Sequence, residues 1–153
     1  MSRRPVYESD SDRRKEKSFA AVIEEQWGCI LKKSPPFYHI DFMGIDVTSS
    51  VPAKHRLEFF VEMKHRKINR DKYPTYMLSL KKWINMNLLR RFSGMPVYLT
   101  IRYLDVDVYL HVTDEVFPVS YMGRVDRGDE SDMEPCIMVP IDRMIPLGGR
   151  PSA

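Results

Sequence analysis

The stretch that most restricts how this chain can fold is Arg56–Arg66, RLEFFVEMKHR. Its Phe and Val residues read as a β-strand. Strand side chains alternate between faces, so Glu58, Phe60, Glu62 and Lys64 are predicted on one side and Phe59, Val61 and Met63 on the other. Any sheet built around this segment therefore projects the Glu62 carboxylate and the Lys64 ammonium in the same direction, with further base beyond them.

The rest of the chain supplies elements to place around that strand. At 153 residues, 43% hydrophobic and 29% charged, it fits one domain with a real core, and no apolar run approaches a membrane span. The first dozen or so residues are polar and charged, so residues 1–15 are predicted to be a mobile arm, 16–147 one folded domain and 148–153 a flexible tail. Phe19, Val22, Ile23 and Trp27 lie at helical spacing and Gly28 suits a helix end. Two short strands follow, CILKK and FYHIDFM, the second bounded by Gly44. With Arg56–Arg66 they can pair as an antiparallel meander, making Asp41 and Glu62 cross-strand neighbours. After the loop-like RKINRDKYPT comes the extended YPTYML, then a helix with Ser79 as N-cap and a stripe of Leu80, Trp83, Ile84 and Leu88. Lys81 and Lys82 in its first turn oppose the helix dipole, which suits an external anion. The strands MPVYLTIRYL and DVDVYLHV, the loop GRVDRGDESDME and a late strand PCIMVPI complete a small α/β sandwich around a mixed sheet.

Asp41, Glu62 and Lys64 point to phosphate chemistry. Cleaving a phosphodiester builds negative charge at phosphorus, which a hard divalent cation offsets, and Mg²⁺ takes one or two carboxylates plus waters. Asp41 and Glu62 can supply them, while Lys64 can orient or help deprotonate the attacking water. Asp46 competes with Asp41 for the first role, although its place past Gly44 suits a turn and favours Asp41, and Glu16 is a further acid that solvation explains better than a role in the site. The four histidines show no metal-ligand spacing, so zinc has little support, and Cys29 and Cys136 read as packed, reduced thiols. Net charge is +3 with a pI near 8.8, and the excess base is concentrated in KHRKINR and the later KK and RR pairs. Glycoside hydrolysis also uses paired carboxylates, but the lysine beside Glu62 and the lack of an aromatic sugar platform favour phosphate.

The motifs FYHID, VEMKHR, YPTYMLSLKKW and SGMPVYLTIRY together resemble the PD-(D/E)xK nuclease superfamily, in particular its small phage and prokaryotic branch with resolvase-like members, over roughly residues 16–112. Ile40 stands where the superfamily's name has Pro. The resemblance implies a restriction-endonuclease-like α/β sandwich, its central mixed β-sheet flanked by helices. It implies a Mg²⁺-dependent deoxyribonuclease, Mn²⁺ being able to substitute, that acts on duplex or branched DNA, with Lys82 rather than Lys81 approaching the site from its helix and the Met63 carbonyl as a third metal ligand. His65, Arg66, Lys67, Arg70 and Lys81 are the candidate DNA contacts, a homodimer is compatible with resolvase-like relatives, and the expected location is the cytoplasm of a prokaryotic or phage-infected cell. The competing readings are a non-catalytic nucleic-acid- or protein-binding module on the same fold, and an interaction protein that meets a host partner.

Overall fold

The structure, a computed structural model, describes residues 9–123 and 133–152. Helix α1 (Asp10–Trp27) is started by a capping box, in which the Ser9 hydroxyl accepts from the Asp12 N–H while the Asp12 carboxylate accepts from the Ser9 N–H. Order thus begins well before the expected Glu16, because the cap and the acidic first turn make this polar segment helical without burying it. The rest of the expected arm, residues 1–8, lies outside the described residues. Gly28, at φ 59°, closes the helix in the left-handed conformation.

Strands β1 (Ile30–Lys33), β2 (Phe42–Asp46) and β3 (Arg56–His65) form the antiparallel meander read from the sequence. They are followed by β4 (Thr75–Ser79), α2 (Leu80–Ser93), β5 (Val97–Arg102), β6 (Asp107–His111), β7 (Val119–Gly123), β8 (Met133–Pro140) and β9 (Ile145–Pro146). The central sheet has the order β1-β2-β3-β5-β6-β9, and it is mixed because β3 and β5 pair in parallel. The chain makes that parallel return through β4 and α2. The loop expected between β7 and β8 falls mainly on residues 124–132, outside the described residues.

Alternation along β3 divides the core as predicted. Phe59, Val61 and Met63 pack under α1 against Phe19, Ile23 and Trp27. Phe60 faces the other side, towards Trp83 and Met86 of α2 and Tyr76, Leu78, Ile137 and Val139 of a second, three-stranded sheet ordered β4-β8-β7. One face of the central sheet is thus covered by a helix, the other by a helix and a small sheet.

Four local expectations are corrected. The segment FYHIDFM is not one strand: Pro36–Tyr38 form a 3-10 turn, His39 is left-handed at φ 51°, and β2 begins only at Phe42. Pro36 stands at the first position of the turn, where its fixed φ and missing N–H favour a helical start, so the chain turns before it extends. Glu58 does not share the Glu62 side, because β2 and β3 slip register: Gly44 faces Phe59 but Ile45 faces Leu57, leaving Glu58 as the bulged residue. It ion-pairs with Arg150, which lies over the Phe59 ring, so the expected flexible tail is docked through Arg150. On α2, Trp83 and Met86 turn inward, whereas Ile84 and Leu88 remain 46% and 45% exposed, since β4, β5 and β8 contact only one side of a helix that is apolar on more than one.

Gly44 is required by close approach. A Cβ there would lie 2.1 Å from Cζ of Phe59, whose ring crosses β2 at this point. Gly44→Ala is expected to destabilise the fold by about 1–3 kcal/mol, measured by urea unfolding, with Phe59→Leu in the same chain recovering part of the loss.

Candidate active site

Among the described residues, Glu62 is the one charged side chain that is buried, at 0% exposure. The parallel partner strand helps fix its backbone, as the buried Thr100 hydroxyl of β5 donates to the Glu62 carbonyl at 3.2 Å. Two ammonium groups meet its carboxylate: Lys64 Nζ lies 2.8 Å from Oε1, and Lys82 Nζ, from the first turn of α2, lies 3.0 Å from Oε2. Lys82 also donates to the carbonyl of His39 at 2.9 Å, tying α2 to the turn that precedes β2. Asp41 follows that turn, and its Oδ2 accepts the backbone N–H of Met63 at 2.8 Å. The β1–β2 connection, β3 and the N-terminus of α2 therefore converge on one point.

The electrostatics follow from burial. Loss of solvent pushes the Glu62 carboxyl above its ordinary 4.5; Lys64 opposes the shift, Asp41 adds to it, and Lys82 opposes it. For Lys64, burial alone would lower the value, but the charges of Glu62 and Asp41 override it and hold the ammonium above 10.5. As the site stands, Lys64 is a cation and not a base.

These groups fit a hard divalent cation. Both Glu62 oxygens are sealed from solvent and each faces one lysine ammonium, at 2.8 and 3.0 Å, which leaves lone pairs on both for a further partner. Asp41 uses Oδ2 on the Met63 N–H. The Met63 carbonyl leaves β3 at the same edge as that N–H, past the last β2–β3 pair at Phe42 and Val61. No group of three His, Cys, Asp or Glu side chains suited to a metal exists among the described residues. Two carboxylates with a neighbouring carbonyl are hard oxygen donors, which suit a hard divalent cation rather than zinc.

The other sequence candidates are dispersed. Asp46 sits at the far end of β2, opposite Arg56, and accepts the Thr48 N–H at 2.8 Å as a turn residue. Glu16 pairs with Lys33 at 2.5 Å and is only 18% exposed in its side chain, so solvation does not explain it. His65 is turned to the α1 face, edge-on to Phe19, and burial lowers its pKa. Arg66 stacks over Tyr76 at 4.8 Å and, with Tyr73 and Tyr103, lines a cavity of about 390 Å³. Arg70 donates to the carbonyls of Ile141 and Met144 at 3.0 and 2.7 Å, a clasp on the chain after β8. Lys67 and Lys81 are exposed. Ser79 occupies the N-cap position of α2, but its hydroxyl donates to Glu134 instead of capping the helix. Sequence reasoning missed Thr100 and the His39 carbonyl: the first depends on a parallel register with no local signature, the second on a main-chain atom.

A family model described as "Phage putative PDDEXK endonuclease" matches residues 2–147. No curated protein matches the chain. Among solved structures it is similar to the 1.6 Å structure of Hjc, a Holliday junction resolvase from the archaeal hyperthermophile Archaeoglobus fulgidus. The two are 12% identical, with 86% of this chain and 84% of that one covered at a TM-score of 0.54, a likeness of fold.

The raised Glu62 pKa means that the folded state binds the proton more tightly than the unfolded one, so its contribution to stability is present below about 4.5 and lost as pH rises through the raised value. In metal-free buffer, the wild type is thus expected to lose ground to Glu62→Gln as pH increases from 4.5, read as the difference in urea midpoints; a difference that grows in favour of the wild type would contradict it.

Proposed function

The chain belongs to the "Phage putative PDDEXK endonuclease" family, and on that premise we propose that it is a Mg²⁺-dependent DNA endonuclease, selective for junctions or other branched DNA, cutting through Asp41, Glu62, Lys64 and Lys82. The observation that carries this reading is the Glu62 carboxylate, fully buried between the Lys64 and Lys82 ammonium groups with the Asp41 charge beside it. Acids shifted by burial together with specific charge partners cluster at functional sites.

Asp41, Glu62 and the Met63 carbonyl would hold the cation, which supplies charge stabilisation at the scissile phosphate and acidifies water. The remaining work falls to the lysines. Glu62 is the largest influence holding Lys64 protonated; with Glu62 engaged by the cation that hold would weaken, and Lys64 would orient the attacking water and accept its proton. Lys82, braced by the His39 carbonyl, stays placed to offset charge on the phosphate. The exposed Lys67 and Lys81 would track the DNA backbone, and Arg66 lies on the same end of β3.

Support for branched DNA comes from the fold shared with Hjc of Archaeoglobus fulgidus, a Holliday junction resolvase. Cutting both strands of such a substrate calls for two sites, which a homodimer supplies. The proposed setting is the cytoplasm of a phage-infected cell; no helix among the described residues is long and apolar enough to cross a membrane. One observation favours the second reading, a binding module without catalysis: Glu62 already has two cationic partners within the chain.

Incubation with a synthetic four-way junction and a matched linear duplex separates the two. The wild type is expected to nick DNA only with Mg²⁺ or Mn²⁺, and Glu62→Ala and Lys64→Ala to lose at least about 100-fold in rate; binding without metal-dependent cleavage would favour the module. Millimolar Mg²⁺ is also expected to raise the melting temperature of the wild type by a few degrees, but not that of Glu62→Ala.

A further inference from the structure

We propose that the turn between β1 and β2 selects the substrate: Phe37 and Tyr38 stack on a nucleobase that has lost its neighbour at a branch, nick or flap, and so bring the adjoining phosphate to Asp41 and Glu62. This rests on the nuclease reading above and names the element that would give that site its preference.

The side chains are presented outward. Phe37 is 83% exposed and Tyr38 52%, on a 3-10 turn only a few residues before Asp41. Large aromatics left in water on a floppy loop would be unremarkable, but this turn is held from several directions. Pro35 and Pro36 fix its entry, the Tyr38 N–H donates to the Pro35 carbonyl at 3.1 Å, and the Ser34 N–H donates to the Asp41 carbonyl at 2.9 Å across its base. His39 leaves it in the left-handed conformation with its carbonyl held by Lys82. Ile40, next in the chain, is buried in the core. Rings on a braced turn lose little freedom on contact, which favours binding by stacking.

The surroundings decide the occupant. Lys82 touches the turn directly, the exposed Lys81 is its neighbour, and Lys64 lies on the other side of Glu62. Exposed aromatic rings on a turn bonded to a lysine complement a flat base attached to a polyanion, which is how unpaired bases are held by proteins. A base inside continuous duplex has both faces covered, so only an interruption in stacking offers one. Contacts of this kind are worth roughly 5- to 150-fold in affinity per base, enough to distinguish a branch from a plain duplex. Because Lys82 bridges the turn and Glu62, a base seated on Phe37 is mechanically linked to the site where the strand would be cut.

The test uses the full chain and DNA carrying 2-aminopurine at the unpaired position of a flap or at the centre of a four-way junction, with a linear duplex of the same sequence as reference. Without metal, the wild type is expected to change the probe's fluorescence at the interruption. The variant Phe37→Ala/Tyr38→Ala should lose that change, and with Mg²⁺ its ratio of branched to linear cleavage should fall at least about tenfold. Phe37→Trp should keep both. A probe response that persists in the double variant, a cleavage ratio that does not move, or a double variant that turns a dimer into a monomer would overturn the proposal, the last by making the turn a contact between copies. A wild type that alters the probe through Phe37 yet cuts nothing with Mg²⁺ would fail the nuclease reading and leave this one standing; metal-dependent cutting with no probe response would do the reverse.

Discussion

Placing the Glu62 carboxylate in the interior is the constraint around which the rest of the molecule is arranged. A carboxylate with no solvent must find positive charge or give up its own. Here one cation comes from two residues along the same strand and the other from α2, so the helix has to be delivered to the strand's end. The chain does this with β4, which enters the second sheet and hands over directly to α2 at Ser79. Thr100 on the parallel neighbour then pins the backbone beneath the acid.

Short-range pattern explains what could be read in advance. Alternation in β3 depends on nothing beyond the strand, so the division of Phe59, Val61 and Met63 from Phe60, Glu62 and Lys64 was legible from residue order alone. The meander and the placement of Asp41 beside β3 followed from three strands close in sequence. The misreadings share a different cause. Glu58 was displaced by a bulge beside the point where the Phe59 ring lies over Gly44, a contact between strands. The inward side of α2 was set by where β8 passes, far along the chain. The Pro35–Tyr38 turn was masked by aromatic residues that score as strand formers while Pro36 at its first position favours a helical start.

The basic run KHRKINR illustrates why clustered charge in a sequence is not a charged face. Alternation sends Lys64 to Glu62 and His65 to the Phe19 side, Arg66 settles on Tyr76, and Arg70 grips the carbonyls that follow β8. Of its cations, Lys67 is left exposed, and Arg66 keeps a place on the cavity it lines. Affinity for a polyanion would accordingly depend on a few positions around the acidic centre rather than on bulk charge, in keeping with a net charge of only +3.

The parallel pairing of β3 with β5 has a temporal side. During synthesis Asp41 and Glu62 leave the ribosome first, Lys82 later, and Thr100 later still, and the return connection must close before the acid is enclosed. Until then Glu62 is a hydrated carboxylate whose attraction for cations water screens. A chain that ends before β5 would therefore lack the strand that pairs with β3 and the Thr100 hydroxyl that holds the Glu62 carbonyl, and its acid would stay in water.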